Sequence, residues 1–246
     1  MNLYGLIGFP LGHSFSKKYF TEKFQQENII DCRYELFPLD SIKDFPSLLK
    51  SNPYLKGLNV TIPYKQDVLT YVTQQTDEVI KIGAANTLKI NGNKIVAYNT
   101  DVIGFEKSFL QNLKPTHKKA LVLGTGGSSK AVKYVLEKLG IDYLIVTRKE
   151  QTEDGYLNYS QIDEEVIKEY SIIINCTPVG TFPNDKEYPQ LPYNFISPKH
   201  YLFDVVYNPE KSLFLKMGEE QGASIQNGYD MLVIQAEESW KIWNED

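Results

Sequence analysis

The sequence predicts an α/β protein of two domains, the second a doubly wound parallel sheet of Rossmann-like type. Three observations carry that prediction. Over the first hundred residues short strand-like runs alternate with helical ones. Beyond Lys114-Pro115-Thr116, a boundary-like segment, the apolar runs ALVLG, YLIVT, SIIIN and YLFDVVY read as buried strands, ALVLG as the doubly covered, parallel kind. ALVLG feeds directly into the glycine-rich GTGGSSKA, the strand–turn–helix opening of a dinucleotide-binding unit.

Taken in order, LYGLIG is a strand, Ser16 to Asn28 a helix, CRYELF a strand, Ile42 to Lys50 a short helix and LKGLNV a strand. In GLNVTIPYK, Leu58, Val60 and Ile62 alternate with Asn59 and Thr61, giving one apolar and one polar face. Pro63 has no N–H for a ladder and ends the strand. A helix after it would carry Val68, Leu69 and Val72 on one face. NTLKI and KIVAY flank Asn91-Gly92, a strong hairpin signal. Asp101 follows Asn99-Thr100 at a helix start, with Ile103, Phe105, Phe109 and Leu110 as candidate buried positions. The helix from Ser128 places Ala131, Val132, Val135, Leu136 and Leu139 on one stripe and stops at Gly140, a C′ glycine. TPVGTFPNDKEYPQLP is a long proline-rich loop of the functional type. The final helix, Tyr229 to Trp243, presents Leu232, Val233, Ala236 and Trp240 as its apolar face.

Composition narrows the function classes. A chain of 246 residues, 42% hydrophobic and 23% charged, is long enough for one large α/β domain or two smaller ones and is not disordered. Its net charge of −5 argues against a broad nucleic-acid surface, so an anionic ligand needs local partners. Cys32 and Cys176 lack metal-type spacing and read as buried free thiols. The N-terminal run lacks the features of a signal peptide, and no stretch is apolar enough for a membrane span, which points to a cytoplasmic protein.

In LGTGGSSKA, Gly124, Gly126 and Gly127 permit a tight turn and close backbone approach, and the helix start offers unpaired N–H groups to a pyrophosphate. The sixth position of the glycine pattern is Ser129, small enough to allow packing. An NAD site has Asp or Glu at the end of the second strand to bind the ribose 2′-hydroxyl. Here Asp142 lies at the wrong end of that strand, and Thr147, Arg148 and Lys149 follow it. Two cations and a hydroxyl suit a 2′-phosphate, so NADP(H) is expected.

The first half supplies small polar groups at strand ends and turns. Ser14 and Ser16 share a direction in an extended segment, as Asn59 and Thr61 share a strand face. Asn86 precedes a strand, and Asp101 ends the run Asn99-Thr100-Asp101. Singly these are turn or cap chemistry, and Asp101 alone reads as an N-cap. Together with Lys65 they describe a pocket for a polyhydroxylated ligand.

With these residues in place, the chain resembles the shikimate dehydrogenase family, the NADP-dependent enzymes that reduce 3-dehydroshikimate to shikimate in aromatic amino-acid biosynthesis. GFPLGHSFS is similar to the family's G-x-P-x-x-H-S-x-S segment, which implies that Ser14 and Ser16 hold the substrate carboxylate. GLNVTIPYK matches G-x-N-V-T-x-P-x-K, implying Asn59 and Thr61 as substrate contacts and Lys65 as the catalytic lysine. GAANT supplies Asn86, and YNTDVIG supplies Asp101 as the catalytic aspartate. GTGGSSKA (Gly124, Thr125, Gly126, Gly127, Ser128), the strand ending Thr147, Arg148, Lys149, and NCTPVG with Thr177 resemble the cofactor loops. DVVYNP implies Tyr207 toward substrate and Val205 toward the nicotinamide, and NGYDMLVIQA implies Gly228 on the cofactor side and Gln235 on the substrate side. Two positions depart from the family: Lys17 stands where a proline is common, and the usual Asn-Arg-Thr is Thr147-Arg148-Lys149.

The resemblance implies a substrate domain over 1–100, an NADP domain over 101–227 and a helix, 228–246, returning to the first, with an active-site cleft between the domains. It implies a small-molecule substrate, no metal, no nucleic-acid or membrane partner, and a monomer or homodimer. Negative charge builds on the carbonyl oxygen during reduction, so Lys65 is the expected donor and Asp101 orients it. A quinate/shikimate dehydrogenase of the same architecture and a non-catalytic ligand sensor are the competing readings. The absence of an acid at the Arg148 position counts against the first, and retention of both Lys65 and Asp101 against the second.

Overall fold

The computed structural model describes residues 1–12, 14–149 and 153–245; His13 of the GHSFS motif lies outside them. The chain divides into two compact units, Met1–Thr100 with Gln235–Asp246, and Asp101–Ile234. The second segment of the first unit begins at Gln235.

The first unit is built on β1 (Asn2–Gly8), α1 (Phe15–Gln26), β2 (Cys32–Pro38), α2 (Phe45–Ser51), β3 (Leu55–Val60), β4 (Gln74–Gln75), α3 (Asp77–Ile82), β5 (Thr87–Asn91) and β6 (Lys94–Tyr98). Its sheet runs β2-β1-β3-β5-β6-β4. The strands β2, β1 and β3 are parallel, while β5 is antiparallel to β3 and forms a hairpin with β6. Gly92, at φ 58°, makes the turn that Asn91-Gly92 predicts. Ile7, Phe45, Leu58, Val68 and Leu88 are fully buried on one side of this sheet. On the other, Tyr4, Phe20, Tyr34 and Trp243 pack as an aromatic cluster, with Tyr4 stacked on Trp243 at 4.9 Å. The indole seats where Gly57 has no side chain, since a Cβ there would lie 2.3 Å from Trp243 Nε1, and that nitrogen donates to Leu88 O at 3.0 Å.

The second unit holds α4 (Thr100–Phe109), β7 (Lys119–Leu123), α5 (Gly127–Lys138), β8 (Asp142–Thr147), β9 (Tyr156–Asn158), α6 (Glu164–Glu169), β10 (Ile172–Asn175), β11 (Tyr201–Asp204), α7 (Leu213–Glu220), β12 (Ser224–Gln226) and the start of α8 (Tyr229–Asn244). All its sheet pairings are parallel, in the order β12-β11-β10-β7-β8-β9. Renumbered within the unit this is the 3-2-1-4-5-6 order of a dinucleotide-binding sheet, with its switch point between β7 and β10. Phe105, Phe109, Tyr201 and Phe203 form the core on one face, and Leu121, Val146, Ile173, Leu202 and Phe214 on the other. Burying each of these large apolar side chains contributes about 1.5–3 kcal/mol. Ala131, Val132, Val135 and Leu136 are buried as expected, and Gly140, at φ 66°, follows the end of α5.

Several expectations are corrected. Ile62 is 71% exposed, because β3 stops at Val60 and the chain turns before the alternation can continue. In place of the helix expected after Pro63 there is a turn that carries Lys65, followed by a short 3₁₀ helix, Asp67–Tyr71. Leu110 lies beyond α4 and is 46% exposed. Asp101 lies inside the first turn of α4 instead of capping it. The run YLFDVVY is a strand only to Asp204. In α8 the buried positions include Met231, Gln235, Ala236 and Ser239, while Leu232, Val233 and Trp240 are half-buried. Both cysteines are free, Cys176 buried and Cys32 half-buried. No helix among the described residues is long and apolar enough to cross a membrane.

Candidate active site

In the first unit Ser14 and Ser16 follow β1, Thr61 and Lys65 follow β3, Asn59 lies within β3, Asn86 precedes β5 and Gln235 lies in α8. Ser14 caps α1, its Oγ accepting from Lys17 N at 3.4 Å, a bond a proline at that position could not give. The Ser16 hydroxyl hydrogen-bonds the Tyr34 phenol, whose burial pushes its pKa well above the usual range. Tyr34 Oη donates to Asn59 Oδ1 at 2.9 Å, and Asn59 Nδ2 donates to Ser239 Oγ at 2.9 Å and Thr87 Oγ1 at 3.2 Å. Thr100 N donates to Asn86 Oδ1 at 2.7 Å, while Asn86 Nδ2 donates to Thr100 Oγ1 at 3.0 Å and Gln235 Oε1 at 3.4 Å. Asn59, Asn86 and Gln235 are thus brought together, buried and cross-linked through Thr87, Thr100 and Ser239. Thr87 and Thr100 fall within the GAANT and YNTDVIG motifs without being assigned a role there, and Ser239 lies outside every motif.

Thr61 is fixed by its N–H to Ile7 O at 2.9 Å and by its methyl group, which lies where a Cβ at Gly8 would fall, 2.4 Å away. Lys65 is half-buried in a turn held on both sides. Its carbonyl accepts from Ala85 N at 2.8 Å, and the preceding Tyr64 is buried and donates through Oη to Leu39 O. Asp101 is 7% exposed in the second unit, where the N-terminal end of the α4 dipole favours a carboxylate.

Also in the second unit, a cavity of about 750 Å³ opens beyond the carboxyl ends of β7, β8 and β10. Gly124, Thr125 and Gly126 line it from the β7 turn, Thr147, Arg148 and Lys149 from the end of β8, and Thr177 from the β10 loop. Gly127 and Ser128 form the first turn of α5, whose leading N–H groups have no intrahelical acceptor. Ser129 is buried and donates to Gly126 O at 2.6 Å, so the small residue packs as expected. Asp142 opens β8 at the end away from the cavity. The lining also takes in Tyr159, Lys186 and Tyr188, none of them predicted; the last two lie in the proline-rich loop flagged only in general terms. Val205, Tyr207 and Gly228 stand outside this lining. Val205 and Gly228 are in contact, since a Cβ on Gly228 would lie 2.3 Å from Val205 O, and Tyr207 is 36% exposed. Among the described residues no cluster of His, Cys, Asp or Glu is arranged to hold a metal ion.

The donor set fits NADP. Gly124 adopts φ 99°, and a Cβ there would lie 2.8 Å from Thr177 Cγ2, so only glycine brings the backbone this close to the loop opposite. Gly124→Ala is expected to raise KM for NADPH about tenfold or more through backbone strain of about 1–3 kcal/mol. An unchanged KM would show that the turn tolerates a side chain.

Residues 6–88 match the family model described as the shikimate dehydrogenase substrate binding domain. A shikimate dehydrogenase (NADP(+)) of Clostridium botulinum is 37% identical, over 97% of this chain and 95% of that protein. The chain belongs to the shikimate dehydrogenase family. The crystal structure of shikimate dehydrogenase from Aquifex aeolicus superposes with a TM-score of 0.86 at 33% identity, covering 99% of this chain and 92% of that one. Shikimate 5-dehydrogenase from Thermus thermophilus, solved in complex with NADP(H) and shikimate, gives a TM-score of 0.86 at 26% identity over 99% and 93% of the two chains. This family member is therefore a two-domain α/β protein with a Rossmann-like unit, as its sheets show.

One buried acid in this unit stands outside the predicted set. Asp204 ends β11 with no exposure, and burial pushes its pKa up to about 7 although Ser212, Val206 N and Asn175 donate to it. Its charge acts on the Cys176 thiol and the Tyr193 phenol. A raised carboxyl favours the folded state when protonated, so its contribution is full below the unfolded value near 4 and is lost as pH rises toward 7. Relative to Asp204→Asn, wild-type stability should fall by about 2 kcal/mol between pH 5.5 and 8, read from denaturant unfolding of both proteins. A pH-independent difference would contradict the buried titration.

Proposed function

We propose that this chain catalyses the reversible NADP-dependent reduction of 3-dehydroshikimate to shikimate, a step of aromatic amino-acid biosynthesis. The observation that carries the reading is the cavity beyond β7, β8 and β10, where the glycine turn meets Arg148 and Lys149 with Asp142 at the far end of β8. A 2′-phosphate is matched by two cations there, and the NADP(+) relatives support the same cofactor.

Bound NADPH supplies the hydride that reduces the ring carbonyl carbon. Lys65 donates the proton that the carbonyl oxygen gains, and its ammonium stabilises the negative charge developing on that oxygen. Asp101 accepts a hydrogen bond from the resulting hydroxyl and keeps the donor oriented. Ser14 and Ser16 hold the substrate carboxylate, while Asn59, Thr61, Asn86, Gln235 and Tyr207 hold ring hydroxyls. The buried amide–hydroxyl cluster supports that division, because amides already fixed by neighbours meet a polyol without further ordering. Thr125, Gly127, Ser128, Thr147, Thr177, Val205 and Gly228 complete the cofactor contacts. In this reading the first unit binds substrate and the second binds NADP. In the oxidative direction Lys65 returns as the base.

The test is NADPH consumption by the purified protein with 3-dehydroshikimate, with NADH and quinate as comparison substrates. Turnover of 3-dehydroshikimate with NADPH well above the other pairs is expected. Preferred oxidation of quinate with NAD would make it a quinate enzyme, and absence of any turnover would leave a ligand-binding role.

A further inference from the structure

Resting on that reading, we propose that Asp204 and Asn175 are positioning residues for the cofactor, holding the two strand-end turns on which Thr177 and Val205 stand. The two residues close neighbouring parallel strands and are paired in register. Asn175 Nδ2 donates to Asp204 Oδ1 at 3.0 Å, and both side chains are fully buried. Each then organises its own turn. Asn175 Oδ1 accepts from Thr177 N at 3.1 Å and Thr177 Oγ1 at 2.6 Å, and its Nδ2 also reaches Val179 O at 3.3 Å. Asp204 Oδ1 accepts from Val206 N at 3.0 Å, and Oδ2 accepts from the Ser212 hydroxyl.

The consequences reach the cofactor residues directly. Thr177 presents its methyl group to Gly124, so the orientation that Asn175 sets decides the width between the glycine turn and the opposite wall. The 204–206 turn carries the carbonyl of Val205 against Gly228, and Gly228 N donates to Val206 O at 3.1 Å. A buried carboxyl is costly in an apolar sheet end, and an apolar side chain there could accept none of the three donors. Asparagine at 204 would keep both bonds on Oδ1 and donate to a reversed Ser212 hydroxyl, whereas alanine would release all three.

The experiment measures dissociation constants for NADP⁺ and for shikimate by calorimetry, so it does not depend on turnover. Asn175→Ala releases four buried hydrogen bonds and Asp204→Ala three, and each should weaken NADP⁺ about tenfold or more and shikimate by less than about twofold. Asp204→Asn should restore NADP⁺ binding to within about threefold of wild type. The double variant Asp204→Ala/Asn175→Ala should bind NADP⁺ more weakly than either single one but by less than the product of the two effects, because the two residues share one bond and each holds its own turn. Should Asp204→Ala fail to fold, Asn175→Ala and Asp204→Asn decide the matter. A lowered melting temperature with NADP⁺ affinity unmoved in Asn175→Ala would overturn the proposal, as would equal weakening of both ligands. Failure of 3-dehydroshikimate to react would defeat the functional reading and leave this binding result standing.

Discussion

Lys65→Ala is expected to lower kcat by about 10²-fold or more, with a much smaller change in KM for 3-dehydroshikimate. The magnitude is that of removing a general acid from a reaction in which charge develops on oxygen. The backbone of the turn that carries Lys65 is held by bonds that the lysine ammonium does not make. Tyr64 anchors it through Leu39 O, and the Lys65 carbonyl is bonded by Ala85 N whatever residue stands there. The variant is expected to keep its fold and the buried amides of the first unit, and to lose the proposed proton donor. Arginine is not an equivalent replacement, since a guanidinium stays protonated and cannot give up its proton. Steady-state kinetics in both directions check this, and a kcat within about threefold of wild type would remove Lys65 from the chemistry.

Arg148→Ala is expected to raise KM for NADPH by about 10- to 10²-fold, the scale of a lost charge-assisted contact to phosphate, and to change KM for NADH by less than about threefold. The side chain stands at the end of β8 on the cavity wall, where Tyr159 feels its charge. The loop behind it does not rely on that side chain, because Thr147 Oγ1 accepts from Lys149 N at 3.2 Å and Asn158 holds the Arg148 carbonyl. NADH lacks the 2′-phosphate, so the contrast between cofactors isolates the contact. Parallel rises in both values would place the phosphate elsewhere.

The parts of the fold that were legible in the sequence are those set by local pattern. The run from β7 through the glycine turn into α5 declares itself by an apolar strand, glycines and a helical stripe in immediate succession. The polarity of the β8 ending is equally local, since Asp142 and Arg148 fall at opposite ends of one strand. Short elements escaped: α3, α6 and α7 span six to eight residues, too few for a periodicity to emerge, and β4, β9 and β12 are edge strands of two or three. The α8 face was misread for a different reason. Gln235 and Ser239 are polar yet buried, because Asn86, Thr100 and Asn59 bond them from far along the chain.

The same limit applies to the site. Motifs supplied Asn59, Asn86 and Lys65, but the hydroxyls of Thr87, Thr100 and Ser239 that fix the two amides become visible only once the sheet brings them together. Asp204 read as one residue of an apolar strand. Only the pairing of β10 with β11 shows its carboxyl collecting Asn175, Val206 and Ser212.

Transfer of label from cofactor to product tests the central claim most directly. The enzyme is supplied with 3-dehydroshikimate and NADPH deuterated at nicotinamide C4, in separate reactions for each face, and the product is weighed by mass spectrometry. The account predicts shikimate carrying one deuterium at the new carbinol carbon from one face only. Unlabelled shikimate from both reactions, or no shikimate at all, would contradict it.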